Sequence, residues 1–270
     1  MTAPAAPPRP IALLTDFGLA DWYVAAIKGE ILRRAPAARL VDLTHAIPPG
    51  DVRRAAFVLG QAWPSFPEGA VFLVVVDPGV GSARRPLAVR AAERFFVGPD
   101  NGVLESPLGV SGAEARMLDP ARVGGPPLSA TFHGRDLFAP AAALLAAGAD
   151  FAGLGPPAPD PVRLAQERPF AEGSSLVGHV VHVDRFGNCI TDVAAADLGA
   201  YLAGRDPRRL RVRAGAAEIA GLSTTYSEAP VGAVLALVGS GGRLEIAVAG
   251  GHAGARLGLA SGDPIRLEWQ

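Results

Sequence analysis

The 270-residue chain is 49% apolar and 19% charged, so it holds enough apolar side chains for a sizeable core. Bases (25) and acids (26) leave a formal net charge of −1, which excludes a dominant electrostatic attraction to nucleic acid or anionic membrane. One cysteine, Cys189, excludes an internal disulfide framework.

Residues 1–9 are rich in Ala and Pro and lack the charged-then-apolar order of a signal peptide. They are expected to form a disordered lead-in. The longest alanine-rich stretch, Ala139 to Ala149, falls short of the ~20 residues a membrane span needs. A soluble, cytoplasmic protein is expected.

From residue 10 to 155 strand and helix patterns alternate. Ile11 to Thr15 is a short apolar run that ends in the turn Asp16-Phe17-Gly18. Val24, Ile27, Ile31 and Leu32 then recur at helical spacing, with Asp21 as the expected N-cap and Pro36 as the stop. Leu40 to Leu43 is a second strand. Asp51 is placed to cap a helix bearing Val52, Ala55, Val58 and Leu59. Val71 to Val76 is an unbroken β-branched and aromatic run, as in a central strand buried on both faces. A last helix is expected over Phe138 to Ala147. This rhythm predicts an α/β domain with a largely parallel central sheet.

Four prolines between Gly155 and Pro161 predict a Pro-rich linker over residues 156–163. Beyond it, residues 164–270 carry short strand-like runs joined by Gly-rich connections: Leu176 to Val183, Leu210 to Val212, Val234 to Val238, Leu244 to Val248 and Ile265 to Leu267. One weak helix is expected near Ala194 to Leu202. The pattern predicts a smaller C-terminal all-β barrel domain.

Ligands of open parallel sheets bind beyond the carboxyl ends of the strands. At those ends stand Thr15-Asp16, Asp42-Leu-Thr-His45 and Asp77-Pro-Gly-Val-Gly81. A carboxylate there can accept two hydrogen bonds from a vicinal diol such as a ribose. It can equally cap a helix or close a turn. Gly79-Val80-Gly81 permits close backbone approach to a ligand but lacks the residues of a phosphate loop or dinucleotide fingerprint. Thr131-Phe-His-Gly-Arg-Asp136 suits either acid–base work by His133 or a helix start. Asp184-Arg-Phe-Gly-Asn188 and Gly239-Ser240-Gly241-Gly242 are composed like ordinary turns. No histidine or cysteine spacing matches a structural zinc site, and no metal or other cofactor is expected.

Seven segments in order resemble the S-adenosylmethionine hydrolases, also called S-adenosylmethionine hydroxide adenosyltransferases, whose relatives are the fluorinases and chlorinases. They are Thr15-Asp-Phe-Gly18 with Asp21 and Lys28-Gly29; Val41 to His45 with Ile47-Pro48; Val75 to Gly81 with Arg84-Arg85; Val97 to Leu104; Thr131 to Asp136; Asp184 to Asn188; and Leu244-Glu-Ile-Ala247. The resemblance covers Ile11 to Leu267.

The resemblance implies an N-terminal α/β domain, a C-terminal β-barrel, and a homotrimer with active sites between the N-terminal domain of one subunit and the C-terminal domain of its neighbour. It implies that Asp16 holds the ribose hydroxyls, with Asp21 also among the substrate-binding residues. Asp77, Arg84 and His133 would surround the attacking water. Asp184 and Ser240 would hold the amino-acid end, and Asn188 and Tyr226 would face adenine, with Tyr226 stacked on it. Two positions depart from the fluorinase pattern. Gly50 stands where a fluorinase has a tryptophan over the substrate, and Gly241 stands where an arginine follows the equivalent of Ser240.

The implied reaction is hydrolysis to adenosine and methionine. The sulfonium leaves as a neutral thioether and needs no acid, whereas water, of pKa ~15.7, needs help as a nucleophile. Asp77 and His133 can both accept its proton, and sequence does not choose between them; Arg84 beside Asp77 favours a positioning role for that carboxylate. Three rival readings are a halogenase on the same fold, a metal-dependent phosphohydrolase using Asp16, Asp77, Asp100, Asn101 and His133, and a non-catalytic binder of adenosine or S-adenosylmethionine. An ionised Asp77 beside the nucleophile position disfavours a halide.

Overall fold

A computed structural model describes residues 9–124, 128–165 and 168–269. All but Arg9 of the expected lead-in lies outside the described residues. The chain divides into two compact units, residues 1–164 and 165–270.

The first unit is built on β1 (Ile11–Thr15), β2 (Leu40–Thr44), β3 (Val71–Val75), β4 (Pro86–Ala91), β5 (Arg94–Pro99) and β6 (Glu114–Met117), in the sheet order β2-β1-β3-β5-β4-β6. The first four strands of that order are parallel; β4 runs antiparallel to β5 and to β6. The expected largely parallel sheet is present, and the antiparallel edge adds to it.

Alternation along each strand explains its unbroken apolar run. Ile11, Leu13, Val71, Leu73 and Val75 point into one buried cluster, and Ala12, Leu14, Phe72, Val74 and Val76 into another on the opposite face. α1 (Tyr23–Arg34) contributes Ile27 and Ile31 to the first face, and α2 (Val52–Ala62) contributes Ala55 and Leu59 to the second. On the second face Phe72 stacks on Phe96 with ring centroids 4.8 Å apart. The short helices α3 (Glu105–Leu108) and α4 (Pro120–Val123) follow, and α5 (Ala139–Ala146) packs on the first face.

Three local expectations are corrected. Asp21 does not cap α1: Trp22 occupies that position and makes no side-chain cap bond. Leu32 is 41% exposed, because the buried stripe of α1 is Val24, Ile27 and Ile31. The last helix does not start at Phe138: a π-helical turn, Gly134–Phe138, carries the His133 segment into α5. Asp51 does cap α2, accepting from Arg54 N at 3.0 Å.

The Pro-rich segment is fastened to the first unit by two buried carboxylates. Asp100 accepts from Arg85 and, at 2.7 Å, from Val162 N, while Arg85 also donates to the carbonyls of Pro159 and Asp160. Glu105 takes both ends of the Arg163 guanidinium at 2.7 Å and Leu164 N at 3.1 Å.

The second unit holds β7 (Phe170–Glu172), β8 (Ser175–Val183), β9 (Cys189–Ala194), β10 (Leu210–Ala214), β11 (Ala217–Ala220), β12 (Val234–Val238), β13 (Arg243–Val248) and β14 (Pro264–Trp269). The antiparallel order is β11-β10-β14-β8-β9-β13-β12, with β7 beside β8. β8 pairs with β14 through Leu176–His179 and with β9 through Val180–Val183, so one long strand turns the sheet. A bridge between Ser223 and Leu237 brings its far ends together, giving the expected, nearly closed barrel. Among the described residues it carries two α-helices where the sequence pattern predicts one: α6 (Ala195–Leu202) and the five-residue α7 (Ala253–Leu257).

Glu105→Ala should lower unfolding stability by about 1.5–3 kcal/mol, because it leaves a guanidinium and a backbone N–H without their acceptor. Glu114→Ala, which removes an exposed pair with Arg90, should cost at most about 1 kcal/mol. Urea titration of both variants checks the difference.

Candidate active site

The carboxyl ends of β1 and β3 and the segment before α5 meet around a cavity of about 540 Å³. Asp16, Asp77 and His133 line it, and Phe17, Tyr23, Phe132 and Val75 form apolar wall. Arg84 stands behind Asp77. Gly50 also lines the cavity, and its N–H donates to Asp16 Oδ2 at 2.8 Å. Gly50 carries no side chain, and a Cβ built there would lie 3.7 Å from Pro78 Cβ.

The loop after β3 explains how a residue seven positions on returns to Asp77. Val80 N bonds Asp77 O, and Ser82 N bonds Gly79 O. Gly81 has φ +77°, and a Cβ there would lie 2.5 Å from the Ala130 carbonyl oxygen. The turn delivers Arg84 Nε to both Asp77 oxygens, at 3.0 and 3.1 Å, and Nη2 to Oδ2. Nη2 also lies 2.8 Å from His133 Nδ1. Arg84 and Asp77 are almost wholly buried, and the guanidinium lies over the Phe138 ring.

This contact decides the His133 tautomer. A guanidinium only donates, so Nδ1 must offer its lone pair and the neutral ring carries its proton on Nε2. Burial first, and then the Arg84 charge, holds His133 below its ordinary pKa, against the opposing pull of Asp77 and Asp136. Asp136 itself is fully buried, paired with Arg135 and bonded by Ser129 N, so it anchors the segment rather than facing a ligand.

Asp21 is exposed and is not part of the cavity lining.

The remaining expected residues gather in the second unit. Asp184 uses Oδ1 for the N–H groups of Phe186 and Asn188, and Oδ2 for the Asn188 amide, so its carboxylate organises its own turn. That turn packs on the start of α7: Gly187 has φ +88°, and a Cβ there would lie 2.2 Å from the His252 ring. Tyr226, 45% exposed, donates its hydroxyl to Glu245 at 2.7 Å. Burial, that hydrogen bond and the charges of Glu245 and Asp184 push the Tyr226 pKa up to about 12. Ser240 is exposed in the following turn, where a Cβ on Gly239 would strike the Glu245 carboxylate.

Sequence reasoning missed Glu245 as the buried partner of Tyr226, although an acid inside the strand run Leu244 to Val248 was the available signal. It also missed the aromatic wall. The Phe132 ring lies 5.4–6.1 Å from those of Phe17, Trp22 and Tyr23, and Tyr23 lies 4.5 Å from Trp22 and 5.8 Å from Phe17. Their spacing in sequence carries no sign of that. Among the described residues no group of three His, Cys, Asp or Glu side chains is gathered as for a metal, and no helix is long and apolar enough to cross a membrane.

Known proteins resemble this chain along nearly its whole length. The model of the SAM hydroxide adenosyltransferase N-terminal domain matches residues 11–155, and that of the C-terminal domain matches residues 178–266. The (R)-S-adenosyl-L-methionine hydrolase of Thermus thermophilus is 46% identical, over 96% of this chain and 99% of the relative. The fluorinase of Nocardia brasiliensis is 30% identical, over 88% of this chain and 90% of its own. The crystal structure of an uncharacterized conserved protein from Thermotoga maritima has a TM-score of 0.89 at 36% identity, covering 96% of this chain and 99% of that one. Both domain models match in order, as the two-unit fold requires, and the chain belongs to the S-adenosylmethionine hydroxide adenosyltransferase family.

Proposed function

We propose that this chain hydrolyses S-adenosyl-L-methionine to adenosine and L-methionine by in-line attack of water on C5′. The observation that carries the reading is the Asp77–Arg84–His133 set at the wall of a cavity that also holds Asp16. The hydrolase name of the relative at 46% identity supports the same reaction.

The substrate brings its own positive charge, and carboxylates at the cavity wall favour a sulfonium. Asp16 would take the ribose hydroxyls. Water would sit against Asp77 and His133. His133 Nδ1 is occupied by Arg84 and its Nε2 carries a proton, so the ring would orient the water by donating to its oxygen. Asp77, with lone pairs left beyond those that meet Arg84, would accept the proton. The carbon–sulfur bond breaks as the carbon–oxygen bond forms. Methionine leaves as a neutral thioether, and the proton passes from Asp77 to solvent. No metal enters this scheme, and chelators should leave it unaffected.

The water and ribose residues lie in the first unit, whereas Asp184, Asn188, Tyr226 and Ser240 lie in the second. A homotrimer in which one subunit's first unit meets its neighbour's second would complete each site. A cytoplasmic setting suits an enzyme whose substrate is made inside cells.

Incubation with S-adenosylmethionine in ¹⁸O-labelled water tests the reaction. Label should appear in the 5′-hydroxyl of adenosine and none in methionine. Added chloride or fluoride should give no 5′-haloadenosine. A haloadenosine would favour the halogenase reading, and methylthioadenosine or adenine as the main product would sink the assigned bond cleavage.

Asp77→Asn and His133→Ala should each lower kcat by about 10²–10⁴-fold with little change in affinity. In the wild type, protonated His133 cannot accept from Arg84. Because its pKa is depressed, activity should hold down to about pH 6.5 and fall only below it. An acid limb centred above that value would contradict the neutral ring.

Mixing inactive Asp16→Ala subunits with inactive Asp184→Ala subunits should restore activity if sites are shared between chains. Verified mixed oligomers that stay inactive would place each site within one chain.

A further inference from the structure

Next to Asp16 in the chain begins a polar relay, buried at Thr15 and His45 and reaching the surface at Asp42 and Lys28, that the proposed reaction does not use. Thr15, the last residue of β1, is fully buried, and its Oγ1 lies 2.8 Å from His45 Nδ1. His45 follows the carboxyl end of β2 and is 5% exposed. Its Nε2 lies 3.0 Å from Asp42 Oδ1, at an angle short of an ideal hydrogen bond. The other Asp42 oxygen takes Lys28 Nζ, from α1, at 2.7 Å.

The order hydroxyl, imidazole, carboxylate is that of a nucleophilic triad, but a fully buried Thr15 offers no oxygen to a substrate. Its bonds run to the protein instead. With the Nε2 proton facing Asp42, the neutral ring presents a lone pair at Nδ1, and the Thr15 hydroxyl donates to it. The same hydroxyl oxygen accepts from Phe17 N at 3.3 Å. The His45 carbonyl accepts from Gly18 N at 2.7 Å. His45 thereby grips the chain on both sides of Asp16, and the Gly50 N–H meets the Asp16 carboxylate from the segment beyond His45.

We propose that His45 is a positioning residue for Asp16, holding the β1 loop through Thr15 so that the carboxylate meets the substrate diol. This rests on the reading of Asp16 as the ribose-binding residue. A misplaced carboxylate loses contacts made equally in ground state and transition state, so the effect belongs in affinity rather than in kcat. Asn in place of His45 can set its Oδ1 near the Nδ1 position and keep the Thr15 bond, while losing Asp42.

The test measures adenosine affinity by calorimetry, steady-state kinetics with S-adenosylmethionine, and thermal midpoints. The proteins are wild type, Asp16→Ala, His45→Ala, His45→Asn and the double variant Asp16→Ala/His45→Ala. His45→Ala should weaken adenosine binding and raise KM about 3- to 10-fold, with kcat within about 2-fold. His45→Asn should recover most of the affinity. The double variant should bind no more weakly than Asp16→Ala alone, since His45 acts through Asp16. Should His45→Ala misfold, His45→Asn and its combination with Asp16→Ala carry the comparison, with a smaller loss that vanishes in the absence of the Asp16 carboxylate.

A lowered thermal midpoint with unchanged affinity would overturn the proposal, as would penalties that multiply in the double variant. If Asp16→Ala weakens binding and neither His45 variant does, the positioning role alone fails. If Asp16→Ala leaves binding unchanged, the ribose reading fails and the positioning role falls with it.

Discussion

The site is organised by one guanidinium. Arg84 faces a carboxylate with two of its nitrogens and an imidazole with one of the same pair, and the Arg84 and Asp77 side chains are almost wholly buried. A buried charge of this kind is tolerated only when paired, and the pairing leaves each partner in a defined state. Asp77 stays an acceptor with its oxygens oriented. His133 becomes an acceptor at Nδ1 and a donor at Nε2. A lysine could supply the charge but not the flat fork that meets two groups at once.

That geometry depends on the sheet. β1, β2 and β3 are parallel neighbours, so their carboxyl ends open on the same edge, and β1 and β3 are each followed within two residues by a carboxylate, Asp16 or Asp77. Asp16 and Asp77 therefore emerge side by side from strands that are otherwise buried throughout. The His133 segment reaches them from across the fold, carried by a π-helical turn whose anchor is the fully buried Asp136. Aromatic side chains close the cavity wall, which keeps the electrostatic interactions strong where the nucleophile would stand.

Glu105 and Asp100 illustrate a different use of buried carboxylates. They bind backbone N–H groups of the Pro-rich segment and the arginines that hold it, where the segment's regular pairing is limited to a single bridge between Pro157 and Arg116 of β6. In the second unit, Glu245 holds Tyr226, while Asp184 orders its own turn with three hydrogen bonds. Carboxylates that look alike in sequence thus divide into those free to face a ligand and those absorbed by the fold.

By itself the sequence determined the layered α/β unit, the β-rich second unit and the positions of Asp16, Asp77 and His133 at element ends. Those follow from local periodicity and from chain breaks, which each short segment carries within itself. It also carried the family, through seven ordered segments. Tertiary structure alone decided the rest. Trp22 rather than Asp21 stands at the start of α1, and Glu245 is the partner of Tyr226. His133 is locked into one tautomer by a residue 49 positions away. The physical reason is the same in each case: whether a polar group faces solvent, a turn or a distant partner depends on what packs against it, and neither spacing nor composition records that.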